Sequence, residues 1–571
     1  MWLNYKWTFR KKPDESIIQK IGSALGIPKS LANVLIARGV QDELDAKKFF
    51  FPSLEDLHDP FLMDGMEQAV ERILKSVKNN ELIWIHGDYD VDGTSSTAMM
   101  LQFLREIGGN VTYYIPDRFT EGYGFSISSA QKAKDAGASL IITVDVGITS
   151  YEPFYFVEKI GLEAIICDHH EPGEQVPKAL TILDPLKPEC KYPFKSLAAC
   201  GVAFKLIQAI AIKLGILEKV YPYLDYVALA SAADMVPLIG ENRTLIYYGL
   251  EQLNTHPRPG IKGLIDCTNL QLGTINPSNI IYSLAPLINA AGRLGSASRS
   301  VEMMIKNDAI SSFQIAQQLE HENRRRRAFD EKTFEEAIPI ADKLLQNKDR
   351  RSLVIHQPHW HAGVIGIVAS RLVDRYHLPT ILMTTIDKLA KGSARSIPDF
   401  DIHRALKKCS NMLTEYGGHK HAAGLSMEES LIPEFREKID EIAKEKITDS
   451  MLEPEIVIDA ELKLYELSPN FLDTLSKFAP YGFDNYKPIF YSKGVRSANG
   501  VKVVGKNHLK FRAYQSFEID AIGYNLAEKI QHCTNGKPFS IVYNIEENTY
   551  NGITTPQLRI KDIRPDDEID A

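Results

Sequence analysis

The stretch ELIWIHGDYDVDGTSSTA (residues 81–98) decides how this chain is read. It begins as a short apolar run rich in β-branched and aromatic residues. It then meets three carboxylates, Asp88, Asp90 and Asp92, followed by Gly93 and a helical pattern. A strand, a turn and a helix in that order make the first βα unit of a parallel sheet. Working outward, the rhythm recurs in NVTYYIP (110–116), SLIITVDVG (139–147), LEAIICDHH (162–170) and KALTILDP (178–185). Apolar strands spaced by helices predict an α/β domain whose parallel sheet is buried on both faces. Several runs end in side chains that bind metals: Asp88/Asp90/Asp92, then Asp145, then Asp168-His169-His170. Asp234 follows the apolar helical run ALASAA (228–233). In a parallel sheet the C-terminal strand ends share one edge, where ligands bind.

Three carboxylates within five residues repel one another, and a divalent cation with oxygen ligands neutralises them. D-x-D-x-D-G also opens an EF-hand loop, but that loop needs a Glu at its twelfth position. Counted from Asp88 the twelfth residue is Met99, and a strand rather than a helix precedes the motif. An EF-hand is therefore excluded. Mixed Asp and His ligands suit Mn²⁺ or Mg²⁺, with carboxylates bridging two ions. Any one Asp at a strand end is more often a helix cap. The conjunction of DxDxDG and DHH, each closing a strand, is what favours metal.

The remaining sequence sets bounds. At roughly 100–200 residues per domain, 571 residues predict about three to five domains. A net charge of −8 excludes a globally basic, histone-like binder but not a local basic groove. Six cysteines without a C-x-x-C pair fit neither a disulfide framework nor a Cys-rich zinc site, so a reduced cytoplasmic setting is expected. MWLNYKWTFRKKPDES lacks the apolar stretch of a signal peptide. The most apolar segment, 196–217, carries lysines and reads as a buried or amphipathic helix, so no membrane association is expected. Residues 300–347 contain no Gly and one Pro, Pro339, and predict a long helix or helix pair. An α/β pattern restarts at RSLVIH (351–356). From about 452, short alternating runs predict an all-β barrel of about 110 residues, with an acidic, frayed tail, PDDEIDA. The run Arg324–Arg327 is explained by i,i+4 pairing such as Glu320–Arg324 as readily as by DNA contact. Phe490, Tyr491, Phe511, Tyr514, Phe517 and Tyr524, among Lys502, Lys506, Lys510 and Arg512, suit a single-strand stacking groove, with about half of them expected in the core.

GDYDVDGTSSTA (87–98), ITVDVGITS (142–150), CDHHEPG (167–173) and ASAADMVPL (230–238) resemble the four motifs of the DHH phosphoesterase superfamily. Within it, the chain resembles the RecJ family of bacterial single-strand-specific 5′→3′ exonucleases. IPDRFTEGYGFS (115–126), KSLAACGVAFKL (195–206), INAAGRLGSA (288–297), HWHAGVIGIVASRL (359–372), GSARSI (392–397), GGHKHAAGLSM (417–427) and APYGFDNYKPIF (479–490) extend the likeness over nearly the whole chain. Departures fall at Val146, at Leu287-Ile288 and at Phe483-Asp484-Asn485, the first two expected near the active cleft.

The resemblance implies a parallel-sheet DHH domain, a smaller α/β DHH-associated domain joined by a long helix, and a C-terminal OB-fold domain. The implied bounds are a helical lead-in at 1–60, the DHH domain at 61–300, the connector at 301–347, the DHH-associated domain at 348–447 and the OB fold at 452–566. It implies Asp90, Asp92, Asp145, His169 and Asp234 as metal ligands. His170 would be a ligand or a phosphate contact, and Asp88 a ligand or its support. His86, at the leading His of an H-x-x-x-D-x-D pattern, would also touch metal. Asn289, Arg293, Ser393, Arg395 and His419 would cradle DNA phosphates, and Arg118 would guide the strand. The implied activity is metal-dependent hydrolysis of single-stranded DNA to 5′-mononucleotides in repair and recombination, with two Mn²⁺ or Mg²⁺ ions. A helicase and a single-strand-binding protein are the protein partners that go with it. A phosphodiesterase for short oligonucleotides or cyclic dinucleotides is the alternative, disfavoured by the extra β domain. A non-catalytic DNA-binding scaffold is disfavoured by the intact ligand set.

Overall fold

A computed structural model of the protein describes residues 5–118, 121–122, 124–498, 500–550 and 553–568. Tyr123 of the Gly-Tyr-Gly motif and the last three residues of the acidic tail lie outside the described residues. The chain forms two compact units. One comprises Trp7–Ala285, Val301–Ser312 and Ile456–Ala571; the other comprises Met1–Lys6, Pro286–Ser300 and Phe313–Glu455.

The N-terminal stretch, expected to be helical, also contributes a strand, β1 (Lys6–Phe9). In the first unit β2 (Ile83–Gly87), β3 (Val111–Tyr114), β4 (Leu140–Val144), β5 (Glu163–Cys167) and β6 (Thr181–Leu183) form a parallel sheet in the order β3-β2-β4-β5-β6. β2 and β4 are buried along their whole length, which is why neither alternates polar with apolar residues. The chain leaves β2 for β3 on one side and returns to β4 on the other. The strand order therefore reverses between β2 and β4, the switch point at which such sheets bind ligands. The turn after β2 requires Gly93, where a Cβ would lie 2.6 Å from the backbone N and O of Asp88. After β4, Gly147 adopts φ 126° and a Cβ there would meet the Thr143 hydroxyl at 2.8 Å.

The helix Val91–Glu106 is buried on nearly all sides although it contains Thr94, Ser95, Ser96 and Thr97. The two threonine hydroxyls satisfy themselves locally, Thr94 donating to Asp90 O (2.5 Å) and Thr97 to Gly93 O (2.8 Å). The departures expected at the cleft are core residues. Val146 packs with Phe125 and Phe154 beside the sheet, and Leu287 and Ile288 are buried in the other unit.

In the second unit β7 (Leu353–His356), β8 (Thr380–Ile386), β9 (Leu389–Arg395), β10 (Glu415–Gly418) and β11 (Ala422–Glu428) form a mixed sheet in the order β10-β11-β9-β8-β7. Only β7–β8 is parallel. The stretch expected as a long helix or helix pair forms two helices, Ser298–Ile305 and the 36-residue Ala309–Leu344, with Pro339 inside the second. Arg324 pairs with Glu320 and Arg326 donates to Asn323 (3.0 Å), so the arginine run is spread around the helix.

β12 (Glu455–Ile458) runs beside β1. β13 (Ala460–Glu461), β14 (Phe490–Ser497), β15 (Lys502–Val504), β16 (His508–Tyr514), β17 (Glu518–Gly523), β18 (Phe539–Tyr550) and β19 (Ile553–Pro565) form the C-terminal barrel in the order β13-β14-β18-β19-β17-β16-β15. Pairing of Arg496 with Tyr514 and Ser497 with Ala513 closes it. Phe490, Tyr491 and Phe511 are buried, whereas Tyr514, Phe517 and Tyr524 are exposed. The lead-in helices do not stand apart: Leu31, Leu35, Phe49 and Phe50 share one apolar core with Phe471, Phe490 and Phe511.

Candidate metal centre

The strand ends of the first unit bring seven of the predicted residues, Asp88 among them, into three overlapping groups of potential ligand atoms. Asp88, Asp90 and Asp145 form one, Asp92, His169 and Asp234 a second, and Asp145, His169 and His170 a third, each within 4.8 Å. Asp145 and His169 belong to two groups each, so the set is continuous. His169 Nε2 lies 3.3 Å from Asp145, 3.8 Å from Asp234 and 3.9 Å from Asp92.

Each side chain of the cluster is held for a local reason. Asp90 caps the helix Val91–Glu106: its Oδ1 accepts from Asp92 N (2.9 Å) and Gly93 N (3.1 Å). Capping and metal binding are thus compatible, one oxygen being left for each. Asp92 caps a different helix. Ala198 offers no side-chain cap to Ala199–Leu214, and Asp92 accepts from Ala199 N and Cys200 N, both at 2.8 Å. Asp145 sits in the left-handed region at φ 65°. Asp234 ends the helix Leu224–Ala233, where the backbone dipole already points its negative pole.

Electrostatically the cluster is overloaded. Burial, then the neighbouring carboxylates, push Asp88, Asp145 and Asp234 well above the ordinary carboxylate range and Asp92 up to about 7. Asp88 Oδ1 is buried without a hydrogen-bond partner. Buried oxygens that repel one another and lack donors fit hard divalent cations. The two histidines are pushed apart. Burial and the charge of His170 bring His169 down to about 4, leaving it neutral with a free lone pair. Burial opposes charge on His170 too, but its hydrogen bond to Asp168 lifts it to about 9.

That role for Asp168 was not anticipated. Its Oδ1 accepts from His169 N (2.8 Å) and His170 Nδ1 (2.7 Å), and its Oδ2 from Ile148 N (2.9 Å). It ties the His169 backbone and the His170 imidazole to the loop that follows β4. Asp184, after β6, is a second unanticipated carboxyl, fully buried and raised to about 7 by burial. The same strand-end rule that found Asp145 applies to it. The amides of Ala199 and Cys200 left no trace in side-chain identity.

His86 joins none of the three groups. It lies within β2, its ring packed against Tyr114 (5.7 Å) and Phe125 (5.0 Å), and burial lowers it to about 4. Arg118 lies 5.0 Å over the ring of Tyr89, between two of the acidic residues in sequence.

The second unit gathers the predicted cationic residues. Arg293 Nη1 donates to Gly363 O (3.1 Å), and Asn289 lies one turn earlier on the same helix. Arg395 Nη1 donates to Ser393 Oγ (3.0 Å) and Ala394 O (2.7 Å). A Cβ on Gly366 would lie 2.8 Å from Ser393 Oγ and 3.0 Å from Arg395 Nη2, so this glycine admits both to the first turns of the helix Ala362–Tyr376. His419 is exposed at the β10–β11 turn, its N donating to Ala422 O (2.8 Å).

Comparison with known proteins matches residues 82–231 to the DHH family N-terminal domain, 350–445 to the DHHA1 domain and 458–562 to the RecJ OB domain. The single-stranded-DNA-specific exonuclease RecJ of Bacillus subtilis (strain 168) is 35% identical over 98% of this chain and 70% of its own. The chain belongs to the RecJ family. Another RecJ, from Escherichia coli (strain K12), is 31% identical over 94% of this chain and 96% of its own. The crystal structure of RecJ in complex with Mn²⁺ from Thermus thermophilus superposes with a TM-score of 0.85 at 26% identity, covering 98% of this chain and 80% of that one. The parallel-sheet, mixed-sheet and barrel architecture is that of RecJ. Among the described residues no helix is long and apolar enough to cross a membrane.

Proposed function

We propose that this protein is a divalent-metal-dependent exonuclease that degrades single-stranded DNA from the 5′ end to 5′-mononucleotides, in the cytoplasm, during repair and recombination. The observation that carries the reading is the continuous carboxylate–imidazole set at the switch point, with the buried unpartnered Asp88 oxygen. The likeness to single-stranded-DNA-specific exonucleases supports the substrate class. The chain would work as a DHH domain at 61–300, a helical connector at 301–347, a DHH-associated domain at 348–447 and an OB fold at 452–566, after the lead-in at 1–60.

Asp88, Asp90, Asp92, Asp145, His169 and Asp234 would hold Mn²⁺ or Mg²⁺. Two such ions, when bound, supply a water of lowered pKa and polarisation of the phosphoryl oxygens. His170, kept charged and oriented by Asp168, would face the anionic phosphate as a donor. Arg293 and Arg395 offer forked donors to phosphate oxygens, joined by Ser393, Asn289 and His419. Arg118 would hold the incoming strand. A helicase and a single-strand-binding protein are fitting suppliers of that strand.

The test is digestion of a 5′-phosphorylated single strand labelled at its 3′ end, with Mn²⁺ and with EDTA, beside duplex and RNA controls. Progressive metal-dependent shortening with mononucleotide release and a spared blunt duplex is expected. Immediate release of the labelled nucleotide would reverse the polarity. Cleavage confined to dinucleotide-sized substrates would point to a small-substrate phosphodiesterase.

A further inference from the structure

The segment Pro480–Lys487, which leads into the barrel, is fastened from behind and bare in front. The Arg243 guanidinium donates to the carbonyls of Lys477 (2.9 Å), Phe478 (3.0 Å) and Ala479 (2.7 Å) just before it. The buried Asn485 amide donates to Phe478 O and Pro480 O, both at 2.9 Å. Arg38, itself paired with Asp459, donates to Tyr486 O (3.0 Å). Gly482 admits the side chain of Leu238, which a Cβ would meet at 2.5 Å. Leu238 N donates to Phe483 O (2.8 Å), so the segment is tied to the stretch that begins with the ligand Asp234.

The side chains on this fixed backbone face water. Phe483 is 37% exposed and Tyr486 51%, their rings 6.0 Å apart edge-to-face, and Met235, next to Asp234, is 52% exposed. Leaving two aromatic rings in solvent forgoes the free energy of burying them. Immobilising their backbone with buried arginines while doing so describes a presented surface, not a poorly packed one.

We propose that Phe483 and Tyr486 form a stacking platform for nucleobases of the single strand on its way to the strand-end carboxylates. Flat aromatic faces take any base, which suits a nuclease indifferent to sequence. Continuity with the Asp234 stretch, through the Leu238–Phe483 hydrogen bond, places the platform on the same unit as the acidic cluster. This inference rests on single-stranded DNA being the substrate.

The test is fluorescence-anisotropy binding in EDTA, comparing a labelled oligothymidylate with an abasic strand of equal length. Wild type would be compared with F483L, Y486L and the double variant, with melting curves for each. Leucine keeps apolar bulk and removes the flat face. Wild type should prefer the base-bearing strand, and the double variant should lose about 10-fold or more of that preference, with abasic binding unchanged. An equal preference in wild type and double variant would overturn the proposal and leave the rings to a protein partner. An equal fall on both strands would overturn it as well, marking a structural role. If wild type fails to shorten DNA with Mn²⁺ yet shows the preference and its loss, the exonuclease reading fails and the platform stands. If DNA is shortened and no base preference exists, the platform alone fails.

Discussion

The acidic cluster of one unit and the cationic cluster of the other are built on opposite principles. Asp88, Asp92 and Asp145 are buried and mutually repulsive, and one Asp88 oxygen has no donor. Arg293, Ser393 and Arg395 are half-buried; Arg293 donates to a backbone carbonyl, and Arg395 donates to Ala394 O and to the Ser393 hydroxyl. The first arrangement is unstable by itself and gains from cations; the second rests satisfied, and on the proposed function would exchange its partners for phosphate. Loss of a residue should therefore be felt differently in the two.

The largest effect is expected for D145N, which removes the carboxylate shared by two ligand groups. Activity should fall to the background of the exonuclease assay while the melting curve survives. Next is D168N, which keeps the shape but weakens the hold on His170. Loss of an orienting partner of this kind costs about 10- to 100-fold in metal affinity or activity, and the Mn²⁺ dependence of the rate should shift to match. R395K in the cationic cluster keeps the charge and loses the fork. It should raise KM with kcat nearly unchanged, by about 10-fold or less, in line with loss of one charged hydrogen bond.

The pH dependence sharpens the contrast. Asp92 is raised to about 7 by burial and by Asp90, above the 3.8 of an unperturbed Asp. In the metal-free protein its contribution to stability is fully present below pH 3.8 and is lost as pH rises through about 7. Mn²⁺ binds the ionised carboxylates, so the rise in Tm on adding Mn²⁺ should be larger at about pH 8 than at about pH 5.5. A rise that is equal at both would separate the cluster from metal. The smallest effect is expected at Val146, deep beside the sheet. V146N buries an amide and should cost about 1–3 kcal/mol of stability, without raising activity.

The sheet, the barrel and the gathering of carboxylates and imidazoles were legible because each rests on a local pattern. The runs closing in Asp88, Asp145 and His169 carry both strand and ligand signals within a few residues. The surroundings of His86 were not legible, because a motif position says nothing of its neighbours, and here these are Tyr114 and Phe125. Asp168 was visible in the motif, yet its function depends on Ile148 N and His170 Nδ1, contacts that only folding creates. The backbone amides that Asp92 caps come from a helix more than 100 residues away, and amides have no sequence identity. The packing of the lead-in against the barrel was not legible, because the two parts of their shared core lie most of the chain apart.

The central claim is that the carboxylate–imidazole set is a two-ion site. Calorimetric titration of the metal-free protein with Mn²⁺ at about pH 8, where the ligands are ionised, paired with the same titration of D145N, tests it most directly. The account predicts two ions per wild-type chain and a clear loss of stoichiometry or affinity in D145N. Wild-type binding that D145N leaves unchanged, or no saturable binding in the wild type, would contradict it.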